Sequence, residues 1–180
     1  MHKLFKVVVI LSLSFGSTGY CLALDSQASI NEKVSLVDIK NFRSLSPTFA
    51  SAGMPNSTDL TLLKQSNYQH IINLIPGDFS EEQRQIRTLE MSFDQISVDW
   101  HVPKLEDFEK FVKLMDKYEQ DKVLVHCRLN YRASAFAYLY QTTQLGIDEA
   151  IAKRKMISVW QPEGTWLDYI EMIQQHYQAQ

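Results

Sequence analysis

The apolar positions of this chain come in short blocks whose spacing switches repeatedly between the period of a strand and that of a helix. Residues 41 to 51 alternate apolar and polar side chains around Pro47, which predicts two short edge strands or a hairpin. Gly53-Met54-Pro55 marks a turn, and Asn56 to Asp59 supply caps for a helix through Gln65. His70 to Leu74 reads as a buried strand that stops at Pro76-Gly77. Ser80-Glu81-Glu82-Gln83 has the form of a capping box opening a helix to about Met91, and Phe93 to Val98 alternates as a strand does. After Val102-Pro103, residues Leu105, Phe108, Phe111, Val112 and Met115 recur at helical spacing, so a long amphipathic helix runs from Leu105 to about Tyr118.

The next block differs in kind. Val123 to Val125 is an apolar strand, the chain turns at His126-Cys127, and an Ala- and aromatic-rich helix follows to Gly146, a C-cap residue. Asp148 begins another helix to about Trp160, a Pro162–Gly164 break follows, and a last helix runs from Thr165 to about His176. Trp160 and Trp166 are expected in the core. Strands traded with helices in this order predict an α/β fold. Its central, mostly parallel sheet has four to five strands, with helices on both faces. No repeat or linker interrupts residues 41 to 180, which read as one domain.

The first 23 residues do not fit that scheme. Lys3 and Lys6 precede an apolar run from Val7 to Phe15, then small residues Gly16 to Gly19, and Cys21-Leu22-Ala23 supplies a cleavage site. This is the layout of a secretory signal peptide, too short to span a bilayer comfortably. A lipid anchor on Cys21 is the rival, disfavoured by the bulk of Tyr20. The expectation is an exported chain, periplasmic or secreted, without stable membrane insertion, followed by a polar leader over 24–40. Cleavage leaves 16 Lys and Arg against 21 Asp and Glu, a formal charge of −5 with no basic footprint for nucleic acid. It also leaves one cysteine, Cys127. Exported proteins spend cysteines in pairs on disulfides, so a lone one is either inertly buried or reactive.

Its position argues for reactivity. A thiol between a buried strand and a helix N-terminus sits where backbone N–H groups lack internal partners and the helix dipole favours negative charge. Arg132, in the first helical turn, can grip two phosphate oxygens with its planar fork. Asp99-Trp100-His101-Val102-Pro103 also follows a strand. Right-handed crossovers bring both strand ends to the same edge of the sheet, so Asp99 can lean over the cysteine loop. Thiolate attack on phosphorus, a cradle for the spreading charge and a carboxylic acid for the leaving oxygen make up one reaction. The five histidines are scattered, no cluster has metal-ligand spacing, and the chemistry requires no cofactor.

His126-Cys127 with a short loop to Arg132 resembles the phosphate-binding loop of cysteine-dependent protein tyrosine and dual-specificity phosphatases, and Asp99-x-x-Val102-Pro103 looks like their general-acid loop. Phe42-Arg43-x-Leu45-Ser46-Pro47, Ser51-x-Gly53-Met54-Pro55 and Ile71-Ile72-Asn73-Leu74 are similar to the bacterial beta-lactamase-hydrolase-like phosphatase branch. The resemblance spans about residues 41 to 175. It implies catalysis by Cys127, Arg132 and Asp99, with His126 tuning the thiolate and the amides of Arg128, Leu129, Asn130, Tyr131 and Arg132 lining the cradle. Trp100 and His101 are expected to wall the pocket, and Tyr131 to flank a bound ring. The implied partner is a phosphorylated protein or a small phosphate ester. Three departures keep alternatives open. Four residues rather than five separate Cys127 from Arg132. Asn130 replaces the loop glycine. Ala133 stands where the family has a hydroxyl, with Ser134 one place later. A weakly catalytic phosphate- or phosphopeptide-binding module is therefore one alternative, and a rhodanese-like sulfurtransferase another.

Overall fold

The computed structural model describes residues 35–179. The signal peptide, Cys21 and most of the polar leader lie outside the described residues. Of the leader, residues 35–40 are described: a 3₁₀ turn at Leu36–Asp38 leads to Ile39, which is buried.

Five strands and six α-helices follow. They are β1 (Arg43–Ser44), β2 (Phe49–Ala52), α1 (Ser57–Gln65), β3 (His70–Asn73), α2 (Ser80–Thr88), β4 (Ser92–Gln95), α3 (Leu105–Lys117), β5 (Val123–His126), α4 (Tyr131–Thr143), α5 (Glu149–Ile157) and α6 (Thr165–Gln178). The sheet order is β1-β2-β5-β3-β4, antiparallel only between β1 and β2. The hairpin around Pro47 forms as expected, but β2 is not an edge strand: it pairs in register with β5, Ala52 beside His126. β5 is the central strand although it comes last, because the chain winds outward through β3 and β4 and then returns. That reversal opens a crevice at the carboxyl ends of β5 and its neighbours.

Two cores cover the two faces. Leu60, Leu63 and Ile86 from α1 and α2 pack on Ala50, Ile71 and Leu124. Phe108, Phe111, Phe136, Trp166 and Ile173 from α3, α4 and α6 pack on Phe49, Ile72, Val123 and Val125. Strand alternation explains the split, since successive side chains leave opposite faces. Helix α4 is buried without a break from Ala133 to Gln141, which is why its sequence shows no polar stripe.

Three boundaries differ from expectation. The capping box at Ser80 does not form. Ser80 is already helical, and Asp78 Oδ1 accepts its N–H at 2.9 Å instead, which holds the Asp78 carboxyl below its usual range. Helix α2 stops at Thr88, where Leu89 N–H and Met91 N–H fold back onto Ile86 O and Glu90 turns left-handed, φ 55. Strand β4 stops at Gln95, because Val98 N–H bonds to Ile96 O and curls the chain out of the ladder toward the crevice.

Candidate active site

Buried Val123, Leu124 and Val125 carry the chain to Cys127 at the carboxyl end of the central strand, with 1% of Cys127 exposed. The following loop is tied to the segment that enters and leaves β2. Cys127 N–H donates to Ala52 O at 3.3 Å and Met54 N–H to Arg128 O at 3.3 Å, while Leu129 bridges Gly53. Asn41 Nδ2 donates to Leu129 O at 3.0 Å, and Asn130 Nδ2 donates back to Asn41 O at 2.7 Å and to Ser51 Oγ at 3.1 Å. Asn130 is left-handed, φ 70, the conformation in which asparagine best replaces glycine. Its carbonyl takes the first helical bond, from Ser134 N–H at 2.8 Å. Among the described residues, the amides of Arg128, Leu129, Tyr131 and Arg132 donate to no backbone carbonyl. Converging free N–H groups at a helix start form an anion cradle.

Arg132 has a buried Nε with no hydrogen-bond partner, and its guanidinium lies 5.2 Å from the centroid of the Trp100 ring. No carboxylate among the described residues reaches salt-bridge distance of it. An arginine steadied by a cation–π contact, with an unmatched donor, is prepared for an anion. Asp99 is exposed, and its Oδ1 accepts from His101 N–H at 2.7 Å and Val102 N–H at 3.1 Å. Those two backbone bonds, His101 first, hold its carboxyl below the usual range, and the positive charge of Arg132 adds to the effect. Trp100, the residue after Asp99, lies against the Arg132 guanidinium and so ties the Asp99 loop to the start of α4. In this arrangement Asp99 is also the residue that builds its own turn.

The aromatic residues form a wall. Trp100 packs 5.6 Å from Trp160 and 6.4 Å from Tyr131, and Tyr131 stacks on Trp160 at 4.9 Å. Trp166 is core, as expected, and its Nε1–H bonds to Trp100 O at 2.9 Å, anchoring the Asp99 loop. Trp160 is only half-buried; its Nε1–H reaches Tyr131 O at 3.0 Å and Ser134 Oγ at 3.1 Å. The Ser134 hydroxyl itself bonds to Tyr131 O, so it is committed to the helix start. Arg128 and Leu129 are exposed at the rim. The exposed His101 gives the site its backbone N–H.

His126 departs from its expected place among substrate-contacting residues. It is wholly buried, and strand alternation sets it on the α1/α2 face, away from Cys127. There its Nε2 lies 3.1 Å from Glu82 Oε1, close enough for an ion pair but without the alignment of a hydrogen bond. Glu82 Oε2 accepts from Asn73 Nδ2 at 2.7 Å, and Asn73 Oδ1 takes Ile75 N–H at 2.7 Å. Sequence reasoning missed Glu82, Asn73, Asn41, Ser51 and the wall position of Trp160. Only Asn73, a polar residue ending an apolar strand, left a trace in the pattern. No group of His, Cys, Asp and Glu among the described residues could hold a metal ion.

No family profile and no curated protein matches the sequence. Solved structures do match. A DUF442 protein from Shewanella putrefaciens CN-32, described as a phosphatase candidate, is 34% identical with TM-score 0.71, over 79% of this chain and 96% of that one. P. aeruginosa TpbA, solved with pTyr, is 21% identical with TM-score 0.56, over 68% and 74% of the two chains. The core catalytic domain of the PP-IP phosphatase SIW14 from S. cerevisiae, solved with citrate, is 15% identical with TM-score 0.67, over 77% and 88%. The last two show a shared fold.

Proposed function

The chain belongs to the DUF442 phosphatase family and shares the fold of TpbA and SIW14, and from that premise we propose that it hydrolyses phosphate monoesters through a cysteinyl-phosphate on Cys127. The ester phosphate sits against the free amides of the loop, and Arg132 Nε and one terminal nitrogen grip two of its oxygens. Cys127 Sγ attacks phosphorus in line, the ester P–O bond breaks, and Asp99 gives its proton to the departing oxygen. Water then attacks the phosphocysteine, Asp99 takes its proton, the S–P bond breaks and inorganic phosphate leaves. The observation that carries this reading is the buried, unpartnered Arg132 Nε beside a loop of free amides.

Asp99 serves as the acid only when protonated, and the His101 and Val102 amides favour its ionised form. The acid role therefore requires the loop to shift so that these two bonds are released. On alkyl phosphates, activity is expected to rise as pH falls from neutral toward the carboxyl range. Asp99→Asn should lower kcat about 10²–10⁴-fold and flatten that limb, with a smaller loss on p-nitrophenyl phosphate, whose leaving group needs little protonation. The decisive experiment is phosphate release from p-nitrophenyl phosphate by the purified chain. It should disappear in Cys127→Ser, and activity that survives that change ends the proposal.

A slower, mainly phosphate-binding protein is the second reading, favoured by Ala133 and by the commitment of the Ser134 hydroxyl to Tyr131 O and Trp160. Tight vanadate binding without turnover distinguishes it. The N-terminal pattern further supports export to the periplasm or beyond, which cell fractionation tests directly. A phosphotyrosine-bearing or other aromatic ester suits the wall of Trp100, Tyr131 and Trp160.

A further inference from the structure

At the amino ends of the strands, away from the crevice, a cavity of about 300 Å³ opens where β2 and β5 begin side by side at Phe49 and Val123. Helices α3 and α4 leave the carboxyl edge of the sheet and both finish here, so that Asp116 and Gln144 line the cavity. A helix C-terminus carries partial negative charge, and this end of the fold therefore favours a cation, as the start of α4 favours an anion. Asp116, Glu119 and Asp121 line the cavity, and no residue lining it is basic. Asp121 is already held by His70 and Gln69, and the neighbouring Lys117 is taken by the Tyr118 hydroxyl. Asp116 and Glu119 are exposed, and no lysine or arginine among the described residues reaches salt-bridge distance of either. The three carboxylates do not converge as the ligands of a metal ion would.

An acidic rim alone is a solvated surface, and Tyr140 makes this one more than that. Tyr140 is 7% exposed, its ring packed edge-on against Phe49 at 6.0 Å and Phe111 at 5.9 Å, and it forms part of the cavity wall. Buried Tyr118, Tyr138 and Tyr169 place their hydroxyls on Asp94, Glu149 and the Lys104 carbonyl. The Tyr140 hydroxyl bonds to no group among the described residues. Burial, and after it the negative charge of Asp116 and Glu119, pushes this phenol up, so both carboxylates act on its oxygen. A neutral phenol oxygen in a negative field, above buried Phe49, Met115 and Val123, is an acceptor set for a charged N–H donor on a hydrocarbon stem.

We infer that this cavity is a binding site for a primary ammonium group on an aliphatic stem. The nitrogen donates to Tyr140 Oη and to the Asp116 and Glu119 carboxylates, and the stem lies on Phe49 and Met115. The inference stands apart from the phosphatase reading, since the two sites lie at opposite ends of β5.

The test is calorimetric titration of the purified full-length chain with two probes, 1,5-diaminopentane for a free amine and Nα-acetyl-lysine amide for a protein side chain. Saturable binding of one molecule per chain is expected, and the tighter probe identifies the source of the ammonium group. 1-Pentanol, which has the stem without the charge, should not bind. Tyr140→Phe keeps the ring and its packing and removes only the hydroxyl; affinity should fall about tenfold. Asp116→Asn combined with Glu119→Gln, both at exposed positions, should lower it by at least about tenfold. Absence of saturable binding of either probe up to about 10 mM overturns the inference. So does an affinity that Tyr140→Phe leaves unchanged, which would mark the acidic rim as a surface that attracts any cation. None of these titrations needs turnover. A chain that binds amine but releases no phosphate loses the phosphatase reading alone, and one that releases phosphate but binds no amine loses this inference alone.

Discussion

Arg132 and Asn130 show how much of this site is decided atom by atom. The Arg132 Nε is buried without a protein partner, so a replacement that keeps the charge but not the fork loses what the site is built to offer. Arg132→Lys should lower kcat/KM for p-nitrophenyl phosphate about 10²–10³-fold with little change in melting temperature. Asn130 does two things at once, holding φ at 70 and bonding to Asn41 O and Ser51 Oγ. Asn130→Gly keeps the backbone and loses the bonds, about 1–2 kcal/mol. Asn130→Ala loses both, about 2–3 kcal/mol in urea unfolding. If alanine proves the milder change, the left-handed backbone is not what asparagine supplies here. The place of Cys127 between a strand and a helix start, the place of Arg132 in the first turn of that helix and this tolerance for a left-handed turn were legible in the sequence, because each is a property of one residue at one spacing from Cys127. The partners of Asn130 were not, being 79 and 89 residues away along the chain.

At the scale of elements, the cradle depends on the β1–β2 hairpin as much as on β5. Gly53 shows the tolerance involved: a Cβ there would meet Lys40 Cβ, Cγ and the Lys40 carbonyl oxygen at 3.0 Å, and Gly53 N–H already bonds to that oxygen. Backbone cannot yield as a flexible side chain does. Gly53→Ala should therefore move the strand that bridges Leu129, destabilising the fold by about 1–3 kcal/mol and weakening vanadate affinity as well. Unchanged affinity in a folded Gly53→Ala variant would show that the cradle does not depend on this bridge. The alternating pattern of 41–51 revealed the hairpin, but only its first strand, β1, is an edge strand, and β2 pairs inward with β5. Periodicity reports which faces of a strand are apolar, not which neighbour it pairs with. The same limit explains the capping box. Ser80 and Gln83 have the right types and spacing, but Asp78 lies closer to the first free amide, and the helix starts one residue early.

The whole molecule separates stability from chemistry by putting them at opposite ends of the sheet. At the amino ends of the strands, His70 Nε2 lies 2.9 Å from Asp121 Oδ2, His70 Nδ1 lies 2.5 Å from Ser92 Oγ, and the ring stacks on Tyr118 at 3.6 Å. Gln69 Nε2–H donates to Asp121 Oδ1 at 2.9 Å, so one carboxylate ties β3 to the turn before β5. Asp121 is partly exposed, which limits its worth. Asp121→Asn should cost about 1 kcal/mol, lowering the melting temperature by roughly 2–4 °C. kcat/KM should not change, and a parallel loss of activity would show that the two ends of the sheet are coupled.

By itself the sequence determined the α/β class, the order of elements, the strand–Cys127–helix device and the pairing of Arg132 with it, because each depends on residues close together in the chain. Only the tertiary structure decided that the last strand is central, that Asn41 and Asn130 interlock, that Trp166 anchors the loop bearing Asp99, and that Glu82 stands behind His126. Those outcomes depend on which surfaces meet after burial, and the free energy of a distant contact leaves no periodic trace in the residues that make it.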